Sequence, residues 1–182
     1  MKFGYPVWYG TGSVPKGIET AAKLGFDYVE WALDYKWPEG IDESKATAVK
    51  KTAKENGIEI AFHAPWAGIE IAHPREGIRK ASLQVQKDCI GFAEQFEPLY
   101  FNMHVSGRTE VHKLEFAQWE VMNIAMQSLQ ELSKFSIEKG VPLLIENNPR
   151  KEFGLTEQFS KLLEIEEIGL CLDVGHAVRT EY

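Results

Sequence analysis

No stretch of this sequence approaches the roughly 18 consecutive apolar residues of a membrane-spanning helix, and Met1-Lys2-Phe3-Gly4-Tyr5-Pro6 has no apolar signal core. Cysteine is scarce. Cys89 and Cys171 are too few for a disulfide framework, and each falls in an apolar stretch, so both are expected as buried free thiols. A cytoplasmic location fits these features best. Positive charge is also in deficit: 20 Lys and Arg against 27 Asp and Glu leave a net charge of −7. That argues against a basic face for nucleic acid and against attraction to an anionic membrane, though a local basic patch can sit on an acidic protein. Gly and Pro are scattered singly, with no low-complexity tract or linker. What remains is 182 residues with 44% apolar and 26% charged side chains, the profile of one globular domain spanning 1–182.

Two periodicities alternate along the chain. Short apolar runs read as strands over Lys2–Trp8, Phe26–Ala32, Ile58–His63, Leu99–His104, Val141–Glu146 and Ile168–Asp173. Between them, apolar residues recur at helical spacing. The first helix is expected from about Pro15 to Leu24, and the second from a cap at Asp42 to Asn56-Gly57. The third carries a stripe of Ile78, Ala81, Val85, Cys89, Phe92 and Phe96, with Pro74 at its first helical position. The fourth places Val121, Ala125, Leu129 and Leu132 on one face, and the fifth follows Thr156 with Glu157 in its first turn. Gly25, Gly57 and Gly140 each stand where a helix hands over to a strand.

Strands separated by helices imply right-handed crossovers and a parallel sheet. An open doubly wound sheet and a barrel both satisfy this. Gly10 and Gly12 after the first strand match a nucleotide-binding turn weakly, without its third glycine. The strand ends favour the barrel. The second strand carries Glu30, the third stops at His63, the fourth at His104, the fifth at Glu146 and the sixth at Asp173, with His176 three residues on. In a βα barrel these ends form the active-site face. Alternation along the strands puts small or polar residues on one side: Ala61 accompanies His63, and Cys171 accompanies Asp173. Each residue alone has a plainer reading, such as a structural histidine, a Glu30–lysine pair, or an Asp capping a helix. Gathered on one rim, acids and imidazoles call for a cation between them, and this mixture of donors suits Zn²⁺, Mn²⁺ or Fe²⁺. His73 and His112 lie in loops leading into helices and are expected to be solvated.

The ordered set His63-Ala64-Pro65-Trp66, His104-Val105-Ser106-Gly107, Glu146-Asn147-Asn148 and Asp173-Val174-Gly175-His176 resembles the xylose-isomerase-like TIM barrels. That family includes sugar and sugar-phosphate isomerases and epimerases and the endonuclease IV type of abasic-site nuclease. The resemblance implies a divalent metal (Mn, Zn, Co or Mg) held by Glu146 and Asp173, with His176, His104 and His63 as further ligands. It implies Glu146 as the catalytic acid/base beside a sugar carbonyl. It also implies Trp66 as a pocket wall, with His63, Glu30, Asn147 and His176 as substrate contacts. The function expected is isomerisation or epimerisation of a small sugar or sugar phosphate. The alternatives are abasic-site cleavage and a catalytically degenerate metal- or sugar-binding barrel.

The family barrel has eight strands, and six are read here. The resemblance therefore implies that two βα units, with another metal-binding histidine and a second carboxylate, are wanting. The expectation is a fragment whose isomerase activity is lost when it stands alone, and whose open sheet edges favour self-association.

Overall fold

The computed structural model describes residues 1–8, 10, 12–34, 40–106, 115–148, 153 and 157–179, without the side chains of 115–118 and 158. Six strands alternate with six helices: β1 Gly4–Val7, α1 Val14–Leu24, β2 Tyr28–Ala32, α2 Glu43–Asn56, β3 Glu59–His63, α3 Glu76–Glu94, β4 Phe101–His104, α4 Glu115–Lys139, β5 Leu143–Glu146, α5 Glu157–Leu162, β6 Ile168–Cys171 and α6 Val174–Arg179. All neighbouring strands pair in parallel, in the order β1-β2-β3-β4-β5-β6. A doubly wound sheet reverses its strand order at a switch point. The unbroken order shows no reversal. Right-handed crossovers then carry every helix to the same face, the arrangement of a βα barrel.

Side chains alternate across the strands accordingly. Val29, Trp31, Phe62, Phe101, Met103, Leu143 and Ile145 point outward and are buried among the helices. Trp31, Phe62, Phe92 and Phe96 form an aromatic cluster with ring centroids 5.3–6.1 Å apart. The opposite face carries Glu30, Ala32, His63, Asn102, His104, Glu146 and Cys171, in register with one another across β2–β6.

Element ends follow local chemistry. Asp42 caps α2 by accepting the Lys45 N–H at 2.9 Å. Gly25, Gly57 and Gly140 take φ of 79°, 65° and 64°, the left-handed closure expected of them. Pro74 lies before the α3 cap, Arg75, and outside the first turn. The buried face of α3 is Ser82, Leu83, Gln86, Cys89, Ile90 and Ala93; it keeps Cys89 of the expected stripe, with Val85 packed at its edge, whereas Ile78 and Ala81 are exposed. The reason is polar. Ser82 Oγ accepts the Glu70 N–H at 2.9 Å, and the Gln86 amide donates to the Pro65 carbonyl at 3.1 Å, so α3 turns these side chains inward to hold the loop after β3. Phe92 and Phe96 still pack against the core from its edge. On α4, Val121, Ala125, Leu129 and Leu132 are buried as their spacing requires. Glu157 stands in the first turn of α5, and Thr156 lies outside the described residues. Among the described residues, no helix is long and apolar enough to cross a membrane.

Candidate metal centre

β5 delivers Glu146 to the end of the sheet and buries it to 6% exposure. Four side chains converge on its carboxylate. His104 Nε2 lies 2.9 Å from Oε1 and His176 Nδ1 3.2 Å from the same oxygen. The Asn102 amide donates to Oε2, and His63 Nε2 lies 3.5 Å from it. The three imidazoles meet edge to face, with centroids 5.1 Å apart for His63–His104 and 5.5 Å for His104–His176. Two triads of ligating atoms share Glu146: His63 and His104 complete one, Asp173 and His176 the other, each with its atoms within 4.8 Å of one another.

His63 shows how a cation could be accommodated here. Its Nδ1 lies 2.8 Å from the Ala64 carbonyl. A carbonyl only accepts, so Nδ1 carries the hydrogen. In a neutral ring the Nε2 lone pair then faces the Glu146 carboxylate, an arrangement that a proton or a metal ion makes attractive. Without metal the proton does so. Burial pulls the His63 pKa down, but its hydrogen bond to Glu146 and the charges of Glu30 and Glu146 outweigh that and raise it. Burial likewise pushes Glu146 up, and the hydrogen bonds of His104 and His63 overcome it, holding the carboxyl well below the usual range. A buried carboxylate, a second carboxylate and imidazoles make a donor set that fits a divalent transition ion.

Other expected site residues are placed differently. Glu30 lies within β2, two residues before its end. Its Oε2 accepts the Tyr100 hydroxyl at 2.6 Å, below the rim, and among the described residues no lysine holds it. Asn147 is fully buried, with both ends of its amide engaged by the Asp173 backbone at 2.7 and 2.9 Å. Its side chain thereby fastens the chain just after β6. Asp173 lies two residues beyond β6, because its Oδ1 turns to accept the His176 N–H at 2.6 Å. Trp66 is 42% exposed on the loop after β3, its backbone N–H 3.4 Å from Asp34 Oδ1. Ser106 anchors that loop at the Ile69 carbonyl and Ser128 at the Ile71 carbonyl.

His73 is buried, against the expectation of solvation. It accepts the Arg75 N–H at 2.9 Å and faces Glu70 at 3.7 Å, so the loop folds over it. His112 lies outside the described residues. Cys89 is buried and forms no disulfide. Cys171 is free and only half-buried, because it faces the interior of the barrel 3.9 Å from Glu146 Oε2. Burial and the nearby carboxylates push its pKa up to about 12. Asn102 is the site residue the sequence reading missed, although it lies two positions before His104 and so shares its face.

Residues 18–182 match the family described as xylose isomerase-like TIM barrel. An uncharacterised protein of Methanocaldococcus jannaschii is 23% identical over 97% of this chain, and the chain spans 61% of that relative. Among solved structures, D-psicose 3-epimerase of Clostridium cellulolyticum H10, crystallised with D-tagatose, superposes with a TM-score of 0.82 at 21% identity, covering 100% of this chain and 66% of its own. Endonuclease IV from Thermus thermophilus superposes with a TM-score of 0.70 at 19% identity, again over 100% and 66%. The sequential parallel strands, the carboxylate-centred rim and the family match agree: this chain belongs to the xylose isomerase-like TIM barrel family.

Proposed function

We propose that this chain binds a divalent metal for the isomerisation or epimerisation of small sugars or sugar phosphates. The observation that supports it most is the buried, ionised Glu146, ringed by His63, His104 and His176 at the carboxyl ends of the strands. Glu146, Asp173, His104 and His63 would hold a divalent ion (Mn, Zn, Co or Mg), with His176 beside them. When bound, the ion supplies Lewis-acid stabilisation of the negative charge that develops on adjacent sugar oxygens.

The chain's own residues do the rest. Moving a stereocentre or carbonyl along a ketose begins with removal of a proton from the carbon next to the carbonyl. Glu146 is the carboxylate that takes it. His104 and Asn102 fix its orientation. The anchored loop after β3 holds Trp66 as a wall against bulk water.

Exchange of that proton with solvent needs only the first carboxylate, so it tests this chain directly. With Mn²⁺ or Co²⁺ in D₂O, a panel of ketoses and their phosphates should gain deuterium beside the carbonyl, detected by NMR. Glu146→Gln should lower the rate about 10²–10⁴-fold. Exchange equal in the variant and the parent contradicts the proposal.

The second reading is abasic-site cleavage, favoured by the three imidazoles on one carboxylate and by the likeness to endonuclease IV. The net charge of −7 opposes a grip on DNA. Nicking of an abasic duplex without any sugar exchange would select it.

A further inference from the structure

The β5–β6 backbone ladder reaches Glu146 opposite Cys171 and stops there. One residue further on, the Asn147 side chain takes over. Its Oδ1 accepts the Asp173 N–H at 2.7 Å and its Nδ2 donates to the Asp173 carbonyl at 2.9 Å. The carboxamide thus does the work of one more peptide group, and its orientation is fixed by having an N–H on one side and a carbonyl on the other. Asn147's own carbonyl lies 2.9 Å from His176 Nδ1. A second acceptor close to that nitrogen is Glu146 Oε1 at 3.2 Å. Both partners only accept, so Nδ1 carries the hydrogen and the lone pair of the neutral ring lies on Nε2. Asp173 Oδ1 is turned back to the His176 N–H at 2.6 Å, which ties the carboxylate and the imidazole together.

We infer that Asn147 is the positioning residue of this centre: it locks the Asp173 backbone with its side chain and the His176 tautomer with its carbonyl. This rests on the metal reading for its consequence and on geometry alone for its mechanism. Substitutes for the side chain fail for different reasons. Aspartate would set a second acceptor against the Asp173 carbonyl and add a buried charge. Leucine would fill the space but leave the part-buried Asp173 N–H and carbonyl without the amide that holds them. Glutamine is one methylene too long. Residues behind a metal centre that orient its ligands change affinity by about 10–100-fold when lost.

The test uses the 182-residue chain, its Asn147→Leu and Asn147→Asp variants, and two readouts. The first is the ¹⁵N NMR signature of the His176 ring in metal-free protein, at a pH where the ring is neutral. The parent should show the Nδ1–H tautomer; the variants keep the backbone carbonyl, but they should lose Nδ1–H population as the released Asp173–His176 segment carries the ring away from it. The second is Co²⁺ binding, followed by calorimetry and by the visible spectrum of the ion. The variants should bind about 10–100-fold more weakly, with an altered spectrum. A parent ring in the Nε2–H form overturns the inference without any variant having to fold. So do folded variants that keep both the tautomer and the Co²⁺ affinity and spectrum, even if their melting temperature falls. A parent chain that takes up no Co²⁺ contradicts the metal reading, while the ring signature still decides the role of Asn147.

Discussion

In the metal-free chain the contacts of His63 with Glu146 favour its protonated form, and the stability should register this. Its folded pKa lies above the usual 6.5. The stabilisation is therefore fully present below about 6.5 and is lost as pH rises through the folded value. Glu146 has the opposite sense: its folded pKa is depressed from 4.5, so its contribution is present above that value and lost as pH falls through the folded one. Urea unfolding of metal-free protein should show lower stability at pH 8.5 than at 5.5, and His63→Gln should flatten that slope. An unchanged slope in the variant would mean that His63 is not the group responsible. His63, His104 and Glu146 were legible in the sequence because each ends an apolar run and the period of two puts them on one face. Asn102 was not, because an uncharged amide inside a strand gives no signal until Glu146 is found beside it. His73 looked solvated because its neighbours in sequence belong to a loop. Its burial comes from the way that loop folds over, which local pattern does not encode.

Among the elements, α4 is the plainest case of sequence dictating packing. Val121, Ala125, Leu129 and Leu132 recur at three- and four-residue spacing and are all buried. Leu129→Ala should destabilise the chain by about 2–5 kcal/mol, the range for opening a cavity in a packed core, and leave metal affinity unchanged because Leu129 faces the outer layer. Chemical denaturation and metal titration of the same sample check both halves. α3 was harder to read. Ser82 and Gln86 are buried for their hydrogen bonds to the loop backbone, and hydrophobic periodicity assigns such residues to the wrong side. The turns into β4 and β6 were equally silent. Glu97 and Glu167 take φ of 48° and 58° there, the left-handed conformation that glycine announces at the other three junctions.

On the scale of the molecule, the sequential strand order leaves β1 and β6 at the two sides of the sheet. Near β6 the outward layer changes character: Leu170 is exposed although Ile145 and Met103, in register with it on β5 and β4, are fully buried, and Leu172, Val174 and Val178 beyond it are exposed too. Open parallel edges beside exposed apolar side chains are a known route to association. Sedimentation velocity of the 182-residue chain should show concentration-dependent self-association, weakened by Leu170→Lys with Leu172→Lys. A monomer at all concentrations would dismiss it. The fold class was legible because six alternations of period admit few topologies, and the polar strand ends chose among them. Metal uptake at those ends is the most direct test of the proposed site. Calorimetric titration of metal-free chain with Mn²⁺, Co²⁺ and Zn²⁺ should show saturable binding that Glu146→Gln with Asp173→Asn abolishes. Binding undiminished in that double variant would place the metal elsewhere and contradict the account.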